Sequence, residues 1–324
     1  MLRILQRCVK SLAGIIALAY IGLVVYAYLP GPEQSRYELA TDSDQFITID
    51  GQDIRYREYG RSEPNKPSLI LLHGFGYSLE SWQQLAPLLA TRFHVITLDL
   101  VGFGLSSKPS DYDYSNAHHA RTVSEFIRAQ GINRFIIGGH SFGGNVAIRV
   151  SIANRAATGL LLLNPGIVSN GVPAFFEYIG DVFPASRATA QQFGNRTFRT
   201  AILKGSFVNP ALVDERRMDG VMLASRTQNY TPAMAEIMAT FDGVLGEVEL
   251  LRDIGVPTLL IIGTEDKASR GISIAQAEAL IADSKLVLVE AAGHFVHEEQ
   301  TQTVADQIIR QLVFLNGTAV NEEI

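Results

Sequence analysis

The chain has 324 residues, of which 47% are hydrophobic and 19% charged, with a formal net charge of -6. A mildly acidic chain without a basic stripe excludes a nucleic-acid partner. Its one cysteine, Cys8, excludes an internal disulfide, and its place in the N-terminal segment excludes a cysteine nucleophile in the folded body.

The first element from the N-terminus is an apolar segment, Ser11 to Leu29, rich in Leu, Ile, Val and Ala and free of charge. At a rise of 1.5 Å per residue its length comes close to the ~30 Å hydrocarbon core of a bilayer. Arg3, Arg7 and Lys10 precede it, and Glu33, Arg36 and Glu38 follow. The positive-inside rule therefore predicts a transmembrane signal-anchor over 11–29, with residues 1–10 cytoplasmic and the body on the exported side. The alternative is a cleaved signal peptide and a secreted body. Such peptides have an apolar core of only about 7–15 residues, and Val25-Tyr26-Ala27 is a poor cleavage site. Cys8 is read as an inert thiol, with lipidation as the alternative. Pro30-Gly31-Pro32 ends the helix and opens a polar linker over 30–43.

Phe46 to Ile49 and Ile54 to Tyr59, joined by Asp50-Gly51, predict a hairpin. Strand and helix patterns then alternate. Leu69–Leu72, Val95–Leu98, Arg134–Gly138, Gly159–Leu163, Thr258–Ile262 and Lys285–Val289 read as strands, and Ser115–Gln130 and Phe142–Ala153 as helices. Ser81-Trp82-Gln83-Gln84 has the form of a capping box opening a helix to Ala90. Such alternation predicts an α/β class with a mostly parallel sheet and helices on both faces, occupying 44–163 and 251–316, with a tail at 317–324. Between Asn164 and Leu250 the rhythm breaks into helical fragments carrying Phe175, Phe176, Tyr178, Phe183, Phe193 and Met234. An insertion there stands over the carboxyl edge of the sheet, where open α/β sheets bind ligands. Residues 164–250 are thus predicted to be a helical lid whose aromatic residues line an apolar pocket or pack among themselves.

Gly139-His140-Ser141-Phe142-Gly143 stands between a strand and a helix, the setting of a nucleophile elbow. Strand and helix pass so closely there that side chains two positions either side of the serine would collide. Gly139 and Gly143 carry none, and glycine accepts the turn's backbone angles. The helix beginning at Ser141 turns its N-terminal N–H groups and positive dipole end toward any oxyanion formed at the serine. The strand at Leu69–Leu72 ends in His73-Gly74-Phe75-Gly76, a turn able to supply a second oxyanion donor. The two donors are assigned to the backbone N–H groups of Phe75 and Phe142. The loop from Asp99 to Ser106 is built for tight turns, with Asp99 fixing its glycines. Two late strands end in Gly263-Thr264-Glu265-Asp266 and Ala292-Gly293-His294-Phe295. Of the other histidines, His73 and His140 are read as packing or loop-bracing residues, His118 and His119 as surface residues of a helix, and His297 as solvated. No pair of histidines or cysteines has metal spacing and no loop is built to cradle phosphate, so neither a metal nor another cofactor is expected.

Taken together, these motifs resemble the α/β-hydrolase superfamily from about Phe46 to Leu315, and the order serine, acid, histidine is that of its triad. The turn at 66–75 and the N-terminal apolar segment look most like membrane-anchored monoacylglycerol lipases. The resemblance implies the α/β-hydrolase fold and a triad of Ser141, Asp266 and His294, because such families place the acid fourth from the glycine, at Asp266 and not Glu265. Some relatives carry the acid after the sixth strand, where this chain has Asn164, an amide that cannot bear the charge. The implied function is a serine esterase or lipase acting on apolar acyl esters such as monoacylglycerols, through an acyl-enzyme on Ser141. The same triad serves C–C hydrolases, acyltransferases and cofactor-free peroxidases, which remain alternatives. A non-catalytic ligand receptor would need none of this chemistry. Dehalogenases and epoxide hydrolases use aspartate where this chain has Ser141.

Overall fold

A computed structural model of the chain describes residues 2–63, 66–168, 183–240, 248–267 and 274–316. Eight strands form one sheet: β1 (Gln45–Ile49), β2 (Gln52–Tyr59), β3 (Ser68–Leu72), β4 (His94–Leu98), β5 (Phe135–His140), β6 (Ala157–Leu163), β7 (Thr258–Gly263) and β8 (Ser284–Val289), in the order β1-β2-β4-β3-β5-β6-β7-β8. The hairpin β1–β2 turns through Asp50 and Gly51, both at positive φ, and β2 also runs antiparallel to β4. The remaining pairs, from β4 to β8, are parallel.

Successive residues of a strand face opposite sides, so a strand covered on both faces is apolar throughout. In β3, Ile70 and Leu72 join one core while Leu69 and Leu71 join the other. The first core receives Val123 and Phe126 of the helix Asn116–Ala129 and Val146 and Val150 of the helix Phe142–Ala153. The second receives Leu85 and Leu89 of the helix Leu85–Leu89 and Val304 and Ile308 of the helix Thr301–Arg310. At about 1.5–3 kcal/mol for each large side chain buried, these two layers hold the sheet. They leave its carboxyl edge to the loops.

The helix toward Ala90 begins differently from expectation. Ser78 caps a 3-10 turn, Leu79–Trp82, by accepting from the N–H of Glu80, and the α-helix starts only at Leu85. Ser81 is buried instead, its hydroxyl drawn to His297 and Glu298. A tertiary partner has outcompeted the local cap.

The insertion after β6 is helical where it is described: Ala185–Phe193, Arg196–Ser206, Glu215–Val221 and Tyr230–Thr240. Phe175, Phe176 and Tyr178 lie outside the described residues. Phe207, Met218 and Met222 pack in a small core with Tyr77 and Phe295, whereas Met234 and Ile237 join the core of the sheet. Phe183 is exposed.

The N-terminal helix runs Leu2–Ala27, and its stretch Gln6–Ala27 is long and apolar enough to cross a membrane. It starts earlier than Ser11 because Arg3, Gln6, Arg7 and Lys10 are good helix formers. Its last turn lies on the insertion: the Tyr26 hydroxyl donates to Gln192 Oε1 at 2.6 Å, and Arg187 Nε donates to the Ala27 carbonyl at 3.0 Å. The segment 30–43 is also tied down, Arg36 donating to Ser107 Oγ at 2.6 Å and Tyr37 to Asp53 at 2.7 Å.

Candidate active site

Ser141 follows β5 and precedes the helix Phe142–Ala153 with φ +50° and ψ -116°. A non-glycine residue held there costs about 1–3 kcal/mol, which the surrounding packing must sustain. The flanking glycines are required by contact. A Cβ on Gly139 would stand 2.2 Å from the Gly143 carbonyl oxygen, and one on Gly143 would stand 2.3 Å from that of Leu72. The serine is tied to the neighbouring strand β6 by its N–H, which donates to Leu163 O at 3.2 Å, and to the turn after that strand by its carbonyl, which accepts from Gly166 N–H at 3.0 Å.

The acid and histidine loops follow β7 and β8. They are stitched together by the N–H of Thr264 to Val289 O at 3.0 Å and of Glu265 to Ala292 O at 3.0 Å. Gly263 permits this approach, since a Cβ there would stand 2.4 Å from Ala292 O. The result brings His294 Nδ1 within 3.0 Å of Asp266 Oδ2, with the carboxylate side chain 1% exposed and the ring 19%. Glu265 points to solvent. Asn164, buried at the end of β6, donates from Nδ2 to Asp266 Oδ2 at 2.5 Å and accepts from Gly263 N–H at 3.2 Å. The position that lacks a charge therefore holds the residue that has one.

His140 joins the histidine loop to the elbow. Its Nε2 lies 2.8 Å from the His294 carbonyl, which can only accept, so the ring carries its proton on Nε2. Burial and the nearby rings of His297 and His294 hold its pKa well below the usual value, keeping it neutral. On the other side, His73 Nε2 accepts from Leu100 N–H at 3.1 Å, leaving Nδ1 to donate to Gly74 O at 2.8 Å and brace the turn that carries Phe75. The Phe75 and Phe142 rings meet edge to face at 6.5 Å, and a Cβ on Gly74 would lie 3.4 Å from Ser141 Cβ. Phe75, Phe142, Ser141 and the Asp266–His294 pair thus belong to one cluster of loops at the carboxyl edge. A polar groove of about 630 Å³ lined by Glu58, His94 and Arg134 lies away from them, at the start of β3 and β4.

Asp99 fixes its loop as expected, accepting from Leu79 N–H at 2.6 Å and from Leu105 N–H at 2.7 Å. Behind it stands a buried ionic knot that no local pattern announces. Arg55 meets Asp44 at 2.8 Å, Glu80 at 2.6 Å and Asp99 at 3.2 Å. Burial alone would lower its pKa, but the three carboxylates outweigh burial and raise it.

Two histidines depart from expectation. His119 is fully buried, its ring 5.5 Å from Phe142 and 6.3 Å from Phe103. It shares the apolar helix face of Val123 and Phe126, a spacing visible in the sequence, whereas His118 faces outward. His297 is fully buried as well, its ring tilted against Trp82 at 4.5 Å with Nε2 2.6 Å from Ser81 Oγ. Burial holds both rings neutral, lowering each pKa to about 3.

The alpha/beta hydrolase family model matches residues 69–307, spanning β3 to the helix Thr301–Arg310. The chain belongs to that family. A 2-hydroxy-6-oxo-6-(2'-aminophenyl)hexa-2,4-dienoic acid hydrolase of Metapseudomonas resinovorans is 27% identical over 268 residues, covering 81% of this chain and 88% of its own. Among solved structures, a meta-cleavage product hydrolase of Pseudomonas fluorescens aligns with a TM-score of 0.69 at 20% identity, over 83% of this chain and 97% of that one. A membrane phospholipase A aligns with a TM-score of 0.68 at 23% identity, over 98% of this chain and 100% of that one. The solved structures speak for the alpha/beta hydrolase fold. The specific likeness to monoacylglycerol lipases is not reproduced by these relatives.

Proposed function

We propose that this alpha/beta hydrolase cleaves carboxylic esters of apolar acids, monoacylglycerols among them, through an acyl-enzyme on Ser141. The observation that carries the reading is the Asp266–His294 pair at 3.0 Å beside a serine held at φ +50°. With Nδ1 turned to Asp266, His294 has Nε2 left for proton transfer. His294 Nε2 takes the Ser141 proton as Oγ attacks the ester carbonyl, and Asp266 stabilises the imidazolium. The backbone N–H groups of Phe75 and Phe142 receive the oxyanion. The alcohol leaves with the proton from His294, and water activated by the same ring releases the acid. The helix Gln6–Ala27 tethers this site to a bilayer, with residues 1–10 cytoplasmic and the body exported, so that a lipid ester is met at high local concentration. A membrane phospholipase A that aligns along 98% of the chain supports the membrane setting.

The dienoic acid hydrolase among the relatives favours a second reading, in which the same serine and histidine cleave a C–C bond beside a ketone. A substrate panel separates the two. Full-length protein in detergent is offered p-nitrophenyl butyrate, a monoacylglycerol and a 2-hydroxy-6-oxo-dienoate. The ester reading expects the first two to turn over and Ser141→Ala to abolish it. Turnover of the dienoate alone would overturn it, as would undiminished ester cleavage by Ser141→Ala. Carbonate-washed membranes test the tether: full-length chain released into the supernatant would mean it does not span.

A further inference from the structure

Two arginines are buried among the described residues, and they are treated oppositely. Arg55 meets three carboxylates, whereas no carboxylate lies within ion-pair distance of Arg199 among the described residues. Arg199 sits on the helix Arg196–Ser206 of the insertion, 4% exposed. Its guanidinium donates to the Gly76 carbonyl at 2.7 Å and stands 4.3 Å from the centre of the Phe193 ring. Burial lowers its pKa, opposed only by Tyr230 and Tyr77. A buried cation without a counter-charge is costly, and a neutral amide would satisfy a single carbonyl equally well. The charge therefore needs an account beyond the hydrogen bond.

Gly76 belongs to the turn Gly74–Tyr77, closed by the N–H of Tyr77 donating to Gly74 O at 3.2 Å. It lies at φ +65°, and a Cβ there would stand 3.0 Å from Arg199 Nη2. In a trans peptide the C=O and the next N–H point in opposite directions, so holding the Gly74 carbonyl aims the N–H of Phe75. His73 and Tyr77 hold that carbonyl, Arg199 holds the next free end of the turn at Gly76, and Phe193 packs on the Phe75 ring at 5.7 Å. The insertion thus grips the turn by a hydrogen bond at Gly76 and a ring contact at Phe75, beside the packing of Tyr77 against Phe207, Met218 and Met222.

We propose that Arg199 is a positioning residue for the oxyanion turn, fixing the Gly76 carbonyl and setting behind Phe75 a positive charge that the oxyanion formed at Ser141 balances. This rests on the serine-hydrolase reading above. A neutral ester brings no negative charge when it binds, and the charge develops only as Oγ adds to the carbonyl. The guanidinium therefore acts on the transition state and its effect falls on kcat, leaving KM nearly unchanged.

The test uses full-length protein in detergent with Ser141→Ala, Arg199→Met and Arg199→Lys, and reads kcat, KM and Tm on neutral p-nitrophenyl butyrate. It also reads inhibition by butylboronic acid, whose serine adduct is a tetrahedral anion. Arg199→Met is expected to lower kcat about tenfold or more, to keep KM within about threefold, and to weaken the boronic acid by the same factor as kcat. Its Tm should hold or rise, because an uncompensated buried charge has been removed. Arg199→Lys should retain part of the rate. Unchanged kcat in Arg199→Met overturns the inference. So does a rise in KM at constant kcat, which would make Arg199 a holder of substrate, and so does a Tm that falls in step with kcat, which would make it packing. Ser141→Ala separates the layers. If it is inactive while Arg199→Met runs at full rate, only the Arg199 inference fails. If it remains active, the serine-hydrolase reading itself fails.

Discussion

Two buried polar clusters flank Ser141, and they are built differently. Toward the hairpin, the loop after β4 is braced by full charges, with Arg55 shared among Asp44, Glu80 and Asp99. Toward β8, the histidine loop is braced by a neutral ring and one carboxylate: His140 donates to the His294 carbonyl with its ring tilted 4.7 Å from that of His297, and Glu299 Oε1 accepts from the Gly293 N–H at 2.9 Å. Beyond His297, Glu298 and Arg217 pair with each other at 2.6 Å. A loop that must only keep its shape can be held by ions. Where a ring has to gain and lose a proton, a fixed charge within ~4–6 Å biases it, and here that charge is the Asp266 carboxylate on Nδ1, while the backbone carbonyl of His294 is held by the neutral His140 ring.

The contrast can be broken in steps of decreasing size. Asp266→Asn should cut kcat about 10⁴-fold by removing the charge that orients and stabilises the His294 imidazolium. Steady-state rates on a soluble ester, with fluorophosphonate labelling of Ser141, measure it, and a loss below about tenfold would remove Asp266 from the chemistry. Arg55→Met should cost about 3–5 kcal/mol, since it strands Asp99 as a buried carboxylate without its ion-pair partner and leaves Asp44 with Arg57 alone. Urea unfolding reads this, and the protein that remains folded should keep its rate. His140→Leu should lower kcat about tenfold, the weight of one hydrogen bond of about 1.4 kcal/mol, while His140→Gln restores a donor and part of the rate. Equal rates for the two variants would show that the ring, and not its N–H, matters.

The smallest effect is one of pH. His119 and His297 have pKa values near 3 in the folded chain against about 6.5 when unfolded, so between these values the unfolded chain binds the protons. Their contribution to stability is full above pH 6.5 and is lost as pH falls toward 3. Each costs up to about 1.4 kcal/mol per pH unit within that window. Thermal melts at pH 7.5 and 5.5 should therefore differ less for His119→Leu than for the parent chain. An unchanged difference would mean that His119 is not the buried neutral ring described.

Much of the site was legible because each candidate residue stands on a loop that follows an apolar strand and is marked by a glycine. Gly139 and Gly143 advertise close approach of backbones, and contact distances bear that out; the equal closeness at Gly263 is visible only in the structure. What escaped was decided by partners far along the chain. Ser81 has the local form of a cap, yet its hydroxyl is drawn to His297, 216 positions away. His297 reads as solvated because nothing nearby in sequence announces Trp82. His119 was readable from its phase with Val123 and Phe126, and its polarity hid it. In the insertion the helical character was legible, but not how apolar side chains divide between its own core and that of the sheet.

Asn164 and Asp266 sit at the ends of adjacent strands, joined by one hydrogen bond. Carboxylate and amide have nearly the same shape, so the edge of the sheet offers two seats for a single charge. A lineage could move its acid from one strand to the next by two substitutions without reshaping the loops. The order of those substitutions matters. Passing through two amides leaves the histidine with no anion at all, whereas passing through two carboxylates lets them share one proton and keeps a negative charge in reach of the ring. The double exchange Asn164→Asp with Asp266→Asn would retrace that route in this chain.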